Sequence, residues 1–254
     1  MFKTGIVSVT YRHLSSDETI SAARSAGLEA IEWGGDIHVP PENIGNARAV
    51  GEATRAAGLE VVSYGTYYRL GENGRNFEVK FAEALAAAKA LGAPSLRIWA
   101  GSKDACDTGE AERKELVREL RVCADMAARE GERIALEFHQ KTLTSDADSA
   151  ERLVGEVGKE NLSLYWQPNQ FLTFERNIEN ITTVLPFISN VHVFAWEGCE
   201  RLRLAEHRER WRRYLDILAA GGRSHALLLE FVPNDDPAIL PDEAAELKRL
   251  INGG

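Results

Sequence analysis

The stretch Gly131-Glu-Arg-Ile-Ala-Leu-Glu-Phe-His139 decides the fold. A helix-period segment, 110–130, runs up to Gly131, and a short apolar strand, 133–138, follows it. Glycine at such a junction supplies the left-handed residue on which many helices end. The strand then closes on a carboxylate, Glu137. A carboxylate is rarely buried without a partner, so a strand ending this way places a charged group where something must answer it.

The same unit recurs along the chain. Strands are predicted at 5–9, 28–33, 59–64, 95–99, 133–138, 162–166, 190–194 and 226–232. Helices are predicted between and after them at 17–26, 42–57, 77–91, 110–130, 147–157, 174–185, 206–220 and 242–251. Ser15 and Ser16 can cap the first helix, and Gly27, Gly58, Gly92, Gly131 and Gly158 each separate a helix from the next strand; the seventh helix stops at Gly221. Eight such alternations imply a parallel sheet with right-handed crossovers, and eight is the number that closes a (β/α)8 TIM barrel. A doubly wound open sheet would carry a Gly-rich phosphate loop after its first strand, whereas here that strand runs into Thr10-Tyr-Arg-His-Leu14. No Ser/Gly-rich linker or shift in composition divides the 254 residues, so 1–254 reads as a single domain of the α/β class.

Composition narrows the partners. A hydrophobic content of 44% with 27% charged residues describes a globular chain with a sizeable core. The net charge of −9 argues against a nucleic-acid partner, and the basic run 201–213 is interrupted by Glu206 and Glu209, as on a solvated helix face. Three cysteines, Cys106, Cys123 and Cys199, show no metal-type spacing and read as reduced thiols of a cytoplasmic protein. The N-terminus reads as a strand rather than a signal peptide, and no apolar run approaches the length of a membrane span. A homo-oligomer is left open.

Three further strands end as the fifth does. Leu164-Tyr-Trp-Gln-Pro168, Val191-His-Val-Phe194 and Leu227-Leu-Leu-Glu-Phe231 place Gln167, His192 and Glu230 beside Glu137 on strands five to eight. Active sites of this fold lie at the C-terminal ends of the strands. Two carboxylates, an amide and an imidazole on one ring point to a divalent metal.

With these segments, and with Ala26-Gly-Leu-Glu-Ala-Ile-Glu-Trp33, the chain resembles the xylose isomerase-like barrels of the sugar phosphate isomerase/epimerase family over nearly its whole length. The resemblance implies one divalent ion held by Glu137, Gln167, His192 and Glu230. The family usually has aspartate where this chain has Gln167. The ring therefore carries one negative charge fewer, which should weaken metal binding and sharpen the Lewis acidity of a bound ion. Oxygen and nitrogen donors without thiolate suit Mn²⁺, Co²⁺, Mg²⁺ or Zn²⁺. The resemblance further implies a small ketose or keto-polyol, an enediolate stabilised by the metal, and Glu137 and Glu230 as the acid/base pair. An ion pair inside the barrel is the structural alternative for the two glutamates.

Other residues are candidate substrate contacts. His139, two residues after Glu137, shares its face. Arg97 on strand four wants an anion, either Glu32 or Glu137 or a substrate acid. Glu32 and His38 lie at and after the end of strand two. Trp33, Trp99 and Trp196, near strand ends, suit the apolar faces of sugar-like rings, whereas Trp166 should point away from Gln167 into helix packing. Tyr11, Tyr67 and Tyr68 could add hydroxyl contacts. No phosphate cradle is visible, so an unphosphorylated carbohydrate is expected. Two rivals accompany this expectation: a lyase that dehydrates a keto-sugar, keto-inositol or keto-acid on the same scaffold, and a non-catalytic sugar-binding or partner subunit that has lost its metal.

Overall fold

The computed structural model describes residues 1–253. Eight parallel strands close a barrel: β1 (Phe2–Val7), β2 (Ala30–Gly34), β3 (Glu60–Arg69), β4 (Ser95–Trp99), β5 (Arg133–Glu137), β6 (Leu162–Trp166), β7 (Ile188–Val193) and, after a short ribbon of β8 (Trp196–Glu197) and β9 (Glu200–Arg201), β10 (His225–Leu229). Each is hydrogen-bonded to its neighbour in sequence, and β10 closes the ring on β1. Helices α1 (Ser16–Ser25), α2 (Ile44–Ala56), α3 (Phe77–Leu91), α4 (Glu110–Arg129), α5 (Ala147–Val157), α6 (Phe174–Val184), α7 (Arg208–Ala220) and α8 (Leu240–Ile251) form the outer layer. The predicted (β/α)8 TIM barrel is the observed fold.

Local chemistry accounts for the element ends. Ser15 caps α1 in a full capping box with Glu18, while Asn43 caps α2 by accepting the Asn46 N–H, so that helix starts two residues later than the pattern suggested. The seventh helix departs from expectation at its C-terminus. Gly221 is right-handed there and the left-handed residue is Gly222, with φ 68°.

The apolar core fills the layer between barrel and helices, where Trp166 packs edge-on against Trp211 and Tyr214. The barrel's interior is different. It holds a small apolar cluster including Val7, Ala135, Tyr165 and Leu228, interleaved with the buried polar residues Glu32, Arg97 and His192, which pair in register with Val7, Ala135 and Leu228. Gly65 on β3 makes room for these polar residues. A Cβ at Gly65 would lie 2.6 Å from Arg97 Nη2 and 2.8 Å from Glu32 Oε1.

Three strand ends run differently from the pattern. β3 continues to Arg69, five residues past its predicted end. β1 stops at Val7 and the chain turns through Ser8–Tyr11 as a 3-10 helix. β10 stops at Leu229, so Glu230 lies just beyond the strand, followed by Phe231 with φ 51°. Among the described residues no helix is long and apolar enough to cross a membrane.

Candidate metal centre and pocket

A pocket of about 320 Å³ opens at the C-terminal end of the barrel. Its floor contains Glu137, Gln167 and Glu230, with the fully buried His192 beside them. His192 Nδ1 lies 2.9 Å from Gln167 Oε1, 3.5 Å from Glu230 Oε2 and 3.8 Å from Glu137 Oε1. The four residues singled out from the strand ends are therefore brought to one place. Each arrives by strand alternation: Gln167 and Tyr165 face inward while Trp166 between them faces the helices, and His192 is inward between two apolar neighbours.

The donor set fits a divalent ion. Ligands each about 2.1 Å from one ion lie at most about 4.2 Å apart, and the three distances from His192 Nδ1 fall inside that limit. One ligand atom each from Glu137, His192 and Glu230 can be chosen so that all lie within 4.8 Å of one another. The second oxygen of Glu137 is taken by Arg97 Nη1, which leaves Oε1 toward the ring.

Against this ring lies a buried charged cluster, of which Arg97 and Glu137 reach the pocket and Glu32 has no exposed surface. The Arg97 guanidinium bridges Glu32, through Nε at 2.8 Å, and Glu137. Glu32 Oε1 is also 3.5 Å from His192 Nε2, which is contact without a full hydrogen bond. Tyr165 lies against the His192 ring at 5.1 Å between centroids, and its hydroxyl accepts a bond from Asn190 Nδ2.

Electrostatics separate the buried acids. Burial alone would raise the Glu32 carboxyl, but Arg97 and His192 overcome it and bring the pKa down to about 2. Burial raises the Glu230 carboxyl above the usual carboxylate range, and Glu137 adds to the rise against the pull of His192 and Arg97. For His192, burial opposes a proton, yet Glu230 and Glu32 outweigh it and lift the imidazole above its ordinary value. Arg97, desolvated but flanked by Glu137 and Glu32, is held firmly protonated.

The walls divide the remaining candidates. His139 and Trp99 line the pocket with their rings 4.8 Å apart, and Nδ1 of His139 is 2.6 Å from the Gln140 carbonyl. Trp196 lines it between Phe194 and Phe231. Arg97 reaches the pocket but has both acids as partners, the structural answer to its charge.

Three candidates stand elsewhere. Trp33 is fully buried on the helix side of β2, its indole N–H donating to Thr54 Oγ1. It follows the inward Glu32, so alternation turns it outward. His38 packs edge-on against Trp33 and its Nε2 is 3.1 Å from the Leu14 carbonyl, away from the pocket. Glu32 has no exposed surface and is sealed under Arg97, so it cannot touch a substrate in this arrangement. Of the tyrosines, Tyr67 reaches the pocket, whereas Tyr11 is buried and Tyr68 bonds Glu119.

Arg12 and Phe231 line the pocket without having been singled out. Arg12 Nε donates to Asp36 and Nη2 to Tyr67, which anchors a half-exposed guanidinium at the mouth. It sits in a turn with no periodic pattern to mark it. Tyr165 could have been found, because it shares the inward face with Gln167 two residues on.

A 69-residue segment is 35% identical to a 3-dehydroshikimate dehydratase of Bacillus anthracis, covering 27% of this chain and 25% of that protein's length. The fold superposes on the crystal structure of the probable 3-DHS dehydratase AsbF from Bacillus anthracis with a TM-score of 0.78, at 21% identity over 98% of this chain and 99% of the other. An L-ribulose 3-epimerase gives 0.75 at 17% identity, over 100% and 95%. The IolI protein, solved with a zinc atom, gives 0.76 at 18%, over 99% and 98%. The profile of one family matches residues 20–250. The chain belongs to the xylose isomerase-like TIM barrel family.

Proposed function

We propose that the protein is a divalent-metal-dependent enzyme that moves a proton at a carbon beside the carbonyl of a small polyhydroxylated substrate, as an isomerase or epimerase. The observation that carries this reading is the meeting of Glu137, Gln167, His192 and Glu230 at the floor of a pocket. Glu137, Gln167, His192 and Glu230 would hold the ion, with Mn²⁺, Co²⁺, Mg²⁺ and Zn²⁺ all compatible with the donors. Bound there, it would supply a Lewis acid for the substrate carbonyl and its neighbouring hydroxyl.

The chain's own groups divide the remaining work. Glu230 has no arginine or lysine in hydrogen-bond or ion-pair contact among the described residues, and burial raises its affinity for a proton, which suits a group that takes a proton from carbon and returns one. Glu137 is the second carboxylate, oriented by Arg97. Trp196 offers an apolar face to a ring or carbon chain, and Trp99, stacked under the Arg69 guanidinium at 3.5 Å, completes a wall that excludes water from the carbanionic species. His139 donates Nδ1–H to the Gln140 carbonyl, so Nε2 of the neutral ring is an acceptor for a substrate hydroxyl.

A lyase is the second reading, and Arg12 favours it. Its half-exposed guanidinium, bonded through Nε to Asp36, Nη2 to Tyr67 and Nη1 to the Val9 carbonyl, still has N–H groups to offer a substrate carboxylate at the mouth, and the similar Bacillus anthracis protein is a 3-dehydroshikimate dehydratase. In that reaction the same proton leaves carbon, but a carboxylic acid of the site passes a proton to the β-hydroxyl, which departs as water, and none returns to carbon.

One experiment separates the two. Metal-loaded protein is incubated in D₂O with a panel of ketoses, keto-polyols and 3-dehydroshikimate, and products are read by mass and NMR. Deuterium at the carbon beside the carbonyl, with otherwise unchanged mass, supports the isomerase or epimerase. Loss of water supports the lyase. No hydrogen exchange and no water loss across the panel would sink both.

A further inference from the structure

We infer that Glu32 is a positioning residue for the metal centre, supplying, through His192 and Arg97, the negative charge that the amide Gln167 does not bring. The inference rests on the metal-centre reading and concerns a residue with no exposed surface. Its Oε1 serves two neighbours, accepting from Arg97 Nε at 2.8 Å and lying 3.5 Å from His192 Nε2. Its Oε2 has no hydrogen-bond partner among the described residues.

His192 is thereby flanked at both ends, with the Glu32 carboxylate 3.5 Å from Nε2. Nδ1 faces Gln167, Glu230 and Glu137, and Nε2 faces Glu32. A ligating imidazole characteristically presents its other nitrogen to a carboxylate or carbonyl, which fixes the ring and strengthens it as a donor.

Charge gives the second argument. The ring holds two carboxylates, enough to offset a divalent ion, but Arg97 lies against Glu137 and adds a positive charge. Glu32 cancels that addition. Without it, the buried cluster plus ion would carry a net positive charge, which a desolvated site tolerates poorly. Gly65 supports the same reading, since any side chain there would intrude on both Arg97 and Glu32.

The test is Mn²⁺ binding by calorimetry on chelator-stripped wild type, Glu32→Gln, Glu32→Asp and Glu32→Gln/Arg97→Gln, with thermal unfolding of each in chelator. Glu32→Gln should weaken Mn²⁺ binding about 10–100-fold. The double variant should regain most of that loss, because the ring's two carboxylates again offset the ion. Glu32→Asp, which keeps the charge, should fall between wild type and Glu32→Gln. Glu32→Gln binding as tightly as wild type, or a double variant as weak as the single, would overturn the inference. If wild type itself binds neither Mn²⁺, Co²⁺ nor Zn²⁺, the metal reading falls and this inference with it; if wild type binds and Glu32→Gln matches it, this inference falls alone.

Discussion

The ends of β2 and β10 each bury a glutamate within reach of the same histidine, and the two acids behave in opposite ways. Glu32 lies 3.5 Å from His192 Nε2, and Glu230 lies 3.5 Å from Nδ1. Glu32 is bonded to Arg97 and its pKa drops to about 2, whereas Glu230, mainly through burial, is pushed above the ordinary range. Burial is common to both, so the contacting cation makes the difference. The C-terminal end of β2 carries an acid locked into an ion pair, and the C-terminal end of β10 carries an acid left available to a ligand.

Three substitutions test this contrast, taken from the largest expected effect. Glu230→Gln removes the available acid and should lower turnover of whichever panel substrate is active by about 10²–10⁴-fold. In metal-free protein it should leave thermal stability intact, because it deletes a buried carboxylate that no arginine or lysine contacts among the described residues. A large loss of stability would show that Glu230 is as structural as Glu32. Arg97→Met strips the cation from both Glu32 and Glu137, and urea unfolding should report a loss of about 3–5 kcal/mol. A variant as stable as wild type would mean that the two acids are accommodated without the pair, and the contrast would collapse. Gly65→Ala crowds the pair without deleting a charge, and overpacking of this kind costs about 1–3 kcal/mol. An unchanged urea midpoint would place slack around Arg97 that the geometry does not display.

Much of this was legible in the chain because barrel strands obey a simple parity. Residues at strand ends alternate between the interior and the helices, and Glu137, Gln167 and His192 are inward by that rule. The same rule separates the tryptophans. Trp99 is two residues from the inward Arg97 and reaches the pocket, whereas Trp33 is one residue from the inward Glu32 and turns to Thr54. Trp166 and Trp33 share this outward parity, each one residue from an inward polar group, and both pack toward the helices. Parity cannot say how deep an inward residue lies, and for that reason Glu32 looked like a substrate contact. Its depth follows from the room at Gly65 and the reach of Arg97, both of which depend on strands distant in sequence. Loop residues carry no parity at all, so nothing in the pattern separates His38, which lies against the Leu14 carbonyl, from Arg12, which lines the pocket.

The two-stranded ribbon after β7 has a consequence of its own. Trp196 projects from β8, turned back at Gly198 with φ 59°, and is braced by Phe231 and by Arg201, whose guanidinium lies 5.2 Å from the indole. Arg201 is tied in turn to Asp235. The floor of the pocket is thus written into barrel strands and their first following residues, while this wall is written into a short excursion that the barrel does not need for closure. Exchange of residues 196–201 is therefore expected to reshape the wall while Glu137, Gln167 and His192 stay in place, with Phe231 as the point where the two parts of the pocket touch.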